Sequence, residues 1–325
     1  QGYFKDRQKL GKVIIEPSVR AQYYASLSNF SFEPRLGLKY NITDGLRLKA
    51  AGGFYSQNLI STVNERDVVN LFVGFLSGPE EIIYDPGTRN PASHRLQKAY
   101  HAIAGVEWDI MKNLELNVEP YYKGFTQLIN VNRNKLSAQD PDFAVETGEA
   151  YGIDFLLKYE VSHWLLWGGY SLGYVRRDDG EQVYPTLFDR RHNMNLLATY
   201  AFGRKNSWEV SARWNFGTGF PFTQTQGFFG ENLFRNGLDS DYRTDNPDLG
   251  IVYDEVRNGG RLPSYHRLDL SVTKTWEFTK YTSLKLNASV TNAYDRNNIF
   301  YFDRVRYERV DQLPILPSAG LTFSF

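Results

Sequence analysis

Apolar and polar residues alternate along much of the chain, and the alternation continues to the last residue, Phe325. Residues 46–50, 114–119, 268–273, 284–290 and 321–325 place apolar side chains at every second position. A strand with a period of two presents one apolar face and one polar face. The pattern predicts an all-β protein whose antiparallel strands separate an oily medium from water, as in a transmembrane β-barrel.

About twelve runs have the length and composition of strands in a tilted barrel, whereas no long segment has helical periodicity. No run of about 18 apolar residues exists, so the sequence contains no candidate transmembrane helix. The predicted strands lie near residues 10–25, 30–41, 45–57, 95–110, 113–131, 147–160, 162–176, 189–203, 207–217, 264–277, 281–296 and 316–325.

The alternation also predicts which side chains face lipid and which face the lumen. A charged group on the lipid face near the midplane costs roughly 2–4 kcal/mol, which strongly constrains the register. The leucine, valine and alanine positions of the four internal runs are expected to face lipid. The charged positions are expected to face the lumen: Arg47, Lys49, Glu115, Glu119, Asp269 and Lys285.

The connections between predicted strands alternate between short and long. Turn-type residues occupy the short ones, at 43–45, 111–113, 160–162, 204–206 and 279–280. Long polar segments lie near 58–92, 132–146, 177–188, 218–263 and 297–315. Outer-membrane barrels have short periplasmic turns and long outer loops, and this alternation predicts the same sidedness. Proline residues 17, 34 and 120 fall within strand runs, where we expect bulges or strand ends.

Composition narrows the class of protein further. The formal net charge is zero, with 37 basic and 37 acidic residues, so no basic surface for nucleic acid is indicated. Aromatic residues make up 15% of the chain, which suits aromatic girdles at membrane interfaces. The mean hydropathy of −0.47 is compatible with a barrel, because only alternate strand residues need be apolar. There is no cysteine and therefore no disulfide framework.

Four segments together resemble the TonB-dependent outer-membrane receptor family. Residues 260–271 resemble its Arg-Leu-Pro-x-Tyr-x-Arg-x-Asp-x-Ser strand entry, and residues 286–295 its Asn-Val-x-Asn-Leu-Phe-Asp run. Residues 316–325 are similar to its last strand, and residues 32–40 to an earlier Pro-Arg strand. The style of the strands is similar to that of receptors from the Bacteroidetes group.

The resemblance implies a barrel of about 22 strands, of which residues 1–325 form the C-terminal part as a single barrel region. It also implies an N-terminal plug domain and a TonB-binding box, both absent from this chain. The chain starts at Gln1 without a methionine or a visible signal peptide, and we expect it to be a C-terminal piece. The implied function is ligand-gated, energy-coupled import of a scarce solute across the Gram-negative outer membrane, with TonB, lipid and a small-molecule, glycan or peptide ligand as partners.

Candidate ligand-binding residues lie in the predicted outer loops. Phe228 and Phe229 suit stacking on a ligand, although they also suit loop packing or an aromatic belt. Arg190 and Arg191 suit the outer vestibule, and the alternative is salt bridges that brace the wall. Tyr242 lies in the acidic loop 239–248, which lacks the glycine and terminal glutamate of an EF-hand and is interpreted as a solvated loop rather than a Ca²⁺ site.

No catalytic or cofactor motif is present. The five histidines are scattered, which disfavours a metal site, and no phosphate loop or nucleophile elbow occurs. Acidic pairs such as Asp178 and Asp179 are interpreted as solvated charge. The chain is therefore not expected to be an enzyme or to hold a cofactor. Two alternatives to a receptor remain: a complete small barrel, such as a porin or autotransporter-like channel, and a structural or binding β protein of the cell surface.

Overall fold

The computed structural model of the chain describes residues 1–61, 74–79, 83–84, 90–92, 94–132, 139–231 and 248–325. Within these ranges the two helical segments are single 3₁₀ turns, Ala25–Leu27 and Arg204–Asn206, and all other regular structure is β-strand. No helix of these ranges is long and apolar enough to cross a membrane.

The described residues form twenty-three strands. The first twelve are β1 (Gly2–Lys5), β2 (Gln8–Leu10), β3 (Val13–Tyr24), β4 (Asn29–Asn41), β5 (Leu46–Gln57), β6 (Leu59–Ser61), β7 (Phe75–Ser77), β8 (Gln97–Met111), β9 (Leu114–Val131), β10 (Phe143–Val161), β11 (Trp164–Asp178) and β12 (Val183–Pro185). The others are β13 (His192–Phe202), β14 (Trp208–Gly217), β15 (Pro221–Phe222), β16 (Thr225–Glu231), β17 (Asp248–Tyr253), β18 (Gly260–Arg261), β19 (Tyr265–Glu277), β20 (Ser283–Thr291), β21 (Ile299–Asp303), β22 (Glu308–Asp311) and β23 (Leu316–Ser324).

One large antiparallel sheet contains all twelve strands that the alternation predicts. Its order is β1-β3-β4-β5-β8-β9-β10-β11-β13-β14-β19-β20-β23, with β2 on β3 and β12 on β11. Each long strand therefore pairs with the next long strand along the chain, which is a simple meander. Strands β1 and β23 do not pair with each other in the described sheet, so the sheet does not close into a barrel. We call this open sheet the wall.

The two ends of the sheet differ in the way that the turn pattern predicts. At the end that we call inner, the long strands are joined by short turns within 42–45, 112–113, 162–163, 203–207 and 278–282. Asn113 and Ser162 adopt left-handed φ values of 69° and 49° there, which tight turns require. The outer end carries the long connections. One outer connection is also short, because the 3₁₀ turn Ala25–Leu27 joins β3 directly to β4.

The bounds of two predicted strands are wrong. Strand β10 begins at Phe143 instead of 147, because residues 143–146 pair with the outer part of β9. Strand β20 ends at Thr291 instead of 296, because Asn292 turns the chain with a φ of 54°. The fully buried Asn292 amide donates to the Arg296 carbonyl at 3.0 Å and to the Leu313 carbonyl at 3.2 Å.

The sequence predicts bulges or strand ends at the three strand prolines, and the structure shows neither. Pro17, Pro34 and Pro120 are paired in regular register with Leu36, Val19 and Ile153. Each has one side where the pairing is interrupted: between β1 and β2 for Pro17, beyond the end of the β4–β5 ladder for Pro34, and in a gap of the β8–β9 ladder for Pro120. A residue without an N–H is accommodated at such gaps, because no ladder hydrogen bond is lost.

Apolar cores lie at the outer rim, where loops cover the ends of strands. A single curved sheet has no second layer to pack on, so its apolar face stays uncovered by protein. In the described ranges, one cluster of buried apolar side chains consists of Ile60, Ile83, Ile129 and Val145, and a second of Tyr24, Leu27 and Leu96.

Candidate functional site: lumenal wall and outer vestibule

The register divides the sheet into an apolar face and a polar face. Leu48 pairs with Val106, Leu166 with Ala198, and these side chains share the apolar face. Exposed leucines line this face, with Leu196 at 43% and Leu321 at 70% exposure. A shallow groove of about 660 Å³ on it is lined by Leu157, Leu166, Leu196, Trp214 and Leu268. We call this the membrane face, and the opposite side the lumenal face.

The lumenal face carries a charge network near its inner end. Glu107 accepts from Lys39 at 2.7 Å, Arg47 at 3.0 Å and Lys49 at 3.2 Å. Arg47 also donates two hydrogen bonds to Asp109, at 2.8 and 2.9 Å, and Lys49 forms an ion pair with Glu119. The alternation in 46–50 and 114–119 predicts this placement of Arg47, Lys49 and Glu119.

The other predicted lumenal charges also lie on the polar face by register. Glu115 pairs with Lys158, Lys285 pairs with Thr275, and Asp269 pairs with Arg213 across neighbouring strands. Asp269 accepts from Arg267 at 2.9 Å. The prediction of sidedness is therefore confirmed for all six charges.

A second polar group lies farther out on strand β4. Glu33 is only 1% exposed, and its carboxylate accepts from Arg35 at 2.6 Å and from the Ser56 hydroxyl at 2.7 Å. The Arg35 guanidinium also lies 4.3 Å from the centre of the Tyr55 ring, which stacks on His101 at 4.2 Å. No simple sequence signal joins these side chains, because they come from three strands.

Arg190 lies across the lumenal face at the outer end. Its guanidinium is 4.1 Å from the centre of the Phe220 ring and 5.6 Å from that of Tyr265. Gly217 leaves the room for it, because a Cβ there would come within 2.6 Å of the guanidinium. Its buried Nε has no hydrogen-bond partner among the described residues, and burial lowers the pKa of Arg190. The result is a partly desolvated cation held by aromatic rings.

Arg191 makes different contacts from its neighbour. Its Nε lies 3.5 Å from Asp189, a carboxylate that is 1% exposed and that also accepts from Arg261 and from the Val175 amide. The Arg191 guanidinium lies 4.8 Å from the centre of the Tyr174 ring, on the membrane face. These contacts hold the 186–191 loop against the wall. Arg191 therefore has the structural role that the sequence analysis gives as the alternative to ligand binding.

The two candidate phenylalanines lie in the outer hairpin of β16 and β17 and point to opposite sides of it. Phe228 contacts Tyr307 edge-on, with ring centroids 5.9 Å apart. Phe229 is 50% exposed and covers Gly250, its partner across the hairpin. The third aromatic candidate, Tyr242, lies outside the described residues, as does most of the acidic loop.

Sequence reasoning missed a connection between two outer loops. Asp179 forms an ion pair with Arg257, and the Gln182 side chain accepts from the Arg257 amide at 3.2 Å. The Asn258 amide donates to the Pro185 carbonyl at 2.8 Å. The interpretation of Asp179 as solvated charge is wrong, because its side chain is 10% exposed and paired. Among the described residues, no three His, Asp or Glu side chains converge as metal ligands do.

Taken together, the meander, the sided turns and the two-faced wall define a transmembrane β-barrel segment. The family model for the TonB-dependent receptor-like β-barrel matches residues 1–293, and the chain belongs to this family. Membership places it in the outer membrane of a Gram-negative bacterium. No curated protein sequence matches the chain.

Solved receptor structures share the fold. The ferric enterobactin receptor of Pseudomonas aeruginosa matches with a TM-score of 0.63 and 12% identity, over 99% of this chain and 44% of that one. The ferripyoverdine receptor of the same species gives 0.59 and 12%, over 99% and 37%. The ferric-catecholate import receptor of E. coli K12 gives 0.59 and 13%, over 99% and 43%. The chain thus spans less than half the length of these receptors.

Proposed function

We propose that this chain forms part of the barrel wall of an outer-membrane receptor that imports a scarce solute by ligand-gated, TonB-coupled uptake. Family membership over residues 1–293 is the observation that carries the proposal. The inner charge network supplies a polar wall for the transport path, and the outer loops are positioned by that wall to bind ligand. In this reading the chain is a transporter component and has no enzymatic role.

Arg190 is the described residue best placed to contact the solute. It lies at the lumenal side of the outer end, and its charge is not neutralised by any carboxylate in the described part of the chain. A partly desolvated guanidinium binds an anionic oxygen more strongly than a hydrated one does. We therefore propose an anionic solute, whether small molecule, glycan or peptide. The neighbouring structures, named for ferric siderophore chelates, make such chelates the first candidates.

Phe229 is a second proposed contact, because half of its surface is exposed on the outer hairpin. Phe228, by contrast, is engaged with Tyr307, and Arg191 with Asp189. We propose that these two residues support the loops that carry the ligand contacts. Lipid is the proposed partner of the membrane face.

Uptake in cells tests the proposal. A siderophore-receptor deletion strain expressing the full-length receptor is supplied with radiolabelled ferric enterobactin or ferric citrate, in the presence and absence of TonB. Accumulation that requires both the receptor and TonB is the expected result. Uptake that persists without TonB would contradict energy coupling.

A conductance measurement separates the receptor from a small passive barrel. A porin-like channel would conduct ions steadily across a planar bilayer without any energy source, whereas a gated receptor would not. The described sheet, whose first and last strands do not pair with each other, disfavours a small closed barrel. A steady conductance of the purified full-length protein would favour that alternative.

A further inference from the structure

One lysine interrupts an otherwise uncharged part of the membrane face. At the three membrane-face positions nearest the inner turn of each of the twelve long strands, a charged side chain occurs once, at Lys274 of β19. Its partners across the sheet are Trp208 and Leu286, which belong to the same face. A charged side chain is strongly unfavourable at the bilayer midplane and much less so near the interface.

The surroundings of Lys274 are aromatic. Its Nζ lies 4.8 Å from the centre of the Trp208 ring and 5.8 Å from that of Trp276. Trp208 is the end of a run of rings along the inner rim, in which it stacks on Phe202 at 6.1 Å and Phe202 stacks on Tyr200 at 5.7 Å. Such belts lie at the level of the lipid headgroups. The ammonium of Lys274 therefore lies at headgroup depth.

Within the described residues, the charge of Lys274 has no counter-ion. Nζ donates to the Ser207 hydroxyl at 2.7 Å, which orients it toward the inner turn. No carboxylate lies within ion-pair distance of it in the ranges that the structure describes. The nearest acidic residue along the strand, Glu277, instead pairs with Lys205 of the turn at 2.8 Å. Lys274 has three donors, and the hydroxyl occupies one of them.

We propose that Lys274, flanked by Trp208 and Trp276, binds the headgroup phosphate of a phospholipid in the inner leaflet. The ring faces attract the cation and shield it, and the long lysine stem lets the ammonium reach the headgroup level. A lipid phosphate is the anion that the membrane itself supplies at this depth. The inference rests on the placement of the chain in the outer membrane, and not on which solute is imported.

Native mass spectrometry of the detergent-solubilised full-length receptor tests the site. The receptor is titrated with phosphatidylglycerol, with phosphatidylethanolamine and with diacylglycerol, which lacks the phosphate. Wild type is expected to retain one molecule of either phospholipid in preference to diacylglycerol. The Lys274→Gln variant is expected to bind that molecule about fivefold more weakly, because one lysine near an anionic lipid surface contributes about 1 kcal/mol.

Two variants separate lipid binding by Lys274 from its structural contact with Ser207. Lys285→Gln removes the same charge from the lumenal face of the adjacent strand and is expected to leave lipid retention unchanged. Ser207→Ala breaks the contact within the protein and is expected to keep the preference for phospholipid. Inorganic phosphate is not expected to displace the lipid. Equal retention by wild type and Lys274→Gln, or no preference over diacylglycerol, would overturn the proposal, and neither result bears on solute uptake.

Discussion

Asp179 and Arg257 form an ion pair that joins two outer loops whose sequences lie 78 residues apart. Both side chains are largely buried, with 10% and 17% exposure. Around them, Gln182 contacts both the Arg257 amide and the Glu255 carbonyl. The pair therefore fixes the loop after β11 against the segment that follows β17.

Replacing Asp179 with asparagine is expected to loosen this connection. The Arg257 charge would remain partly buried without its carboxylate, which costs on the order of 2 kcal/mol locally. Hydrogen exchange of the amides in 179–182 and 254–258 is expected to accelerate by at least tenfold. Asp178→Asn, at the end of β11, is the control, because in the described part of the chain the Asp178 side chain accepts only from the Gly180 backbone amide, at 2.9 Å. Unchanged protection in Asp179→Asn would show that the loops hold together by other contacts.

Replacing Arg190 with glutamine is expected to weaken binding of an anionic solute about tenfold. A hydrogen bond to a charged group contributes about 1.5–3 kcal/mol, and glutamine keeps much of the packing on Phe220. Isothermal titration with the ferric chelate that the receptor takes up measures the effect. Arg176→Gln removes an exposed charge from the membrane side of the same outer end and is the matched control. Equal losses in the two variants would point to a diffuse charge effect instead of a contact.

Adjacent residues of β13 test the two faces of the wall. Leu196→Arg places a charge on the membrane face and is expected to destabilise the full-length receptor in liposomes by about 2–4 kcal/mol. Asn195→Arg places the same charge on the lumenal face, where its strand neighbours are Gly169 and Asn215, and is expected to cost less than about 1 kcal/mol. Chemical unfolding in guanidinium followed by tryptophan fluorescence compares them. The reverse order of stabilities would mean that the faces are assigned wrongly.

Residues 1–325 expressed alone are expected not to form a monomeric, heat-resistant barrel. Strands β1 and β23 leave two unpaired edges in the described sheet, and unpaired edges associate with other chains. Gel mobility before and after heating, together with light scattering in detergent, measures this. A monodisperse monomer whose mobility shifts on heating would be incompatible with the open wall described here.

The sequence is sufficient to predict the long strands of the wall, but it does not predict the hairpins and turns of the outer rim. Alternation predicts all twelve long strands and the facing of Arg47 and Lys285, because a period of two has one physical cause along the whole strand. The outer hairpins β16–β17 and β21–β22 lie within segments that appear in the sequence only as polar loops. The alternation predicts strand through residue 296, and it misses the turn at Asn292 because the hydrogen bonds of an asparagine side chain leave no periodic signal.

The candidate site divides in the same way. Arg190 and Arg191 are adjacent in sequence, yet one contacts Phe220 on the lumenal face and the other contacts Asp189 and Tyr174. Both residues lie in the irregular segment before β13, where no strand periodicity fixes the direction of a side chain, so one motif cannot assign one role to both. Arg257 pairs with Asp179 from 78 residues away, and Ser56 donates to Glu33 from 23 residues away. Spacing along the sequence carries no information about either contact.

The strictly sequential pairing of the long strands has an evolutionary consequence. Two neighbouring strands and the short inner turn between them form a unit that begins and ends at the outer side. Loss or duplication of one such unit would change the circumference by two strands while every other strand kept its direction and its two faces. Barrels built in this manner can change width in even steps without rearranging the loops that bind ligand.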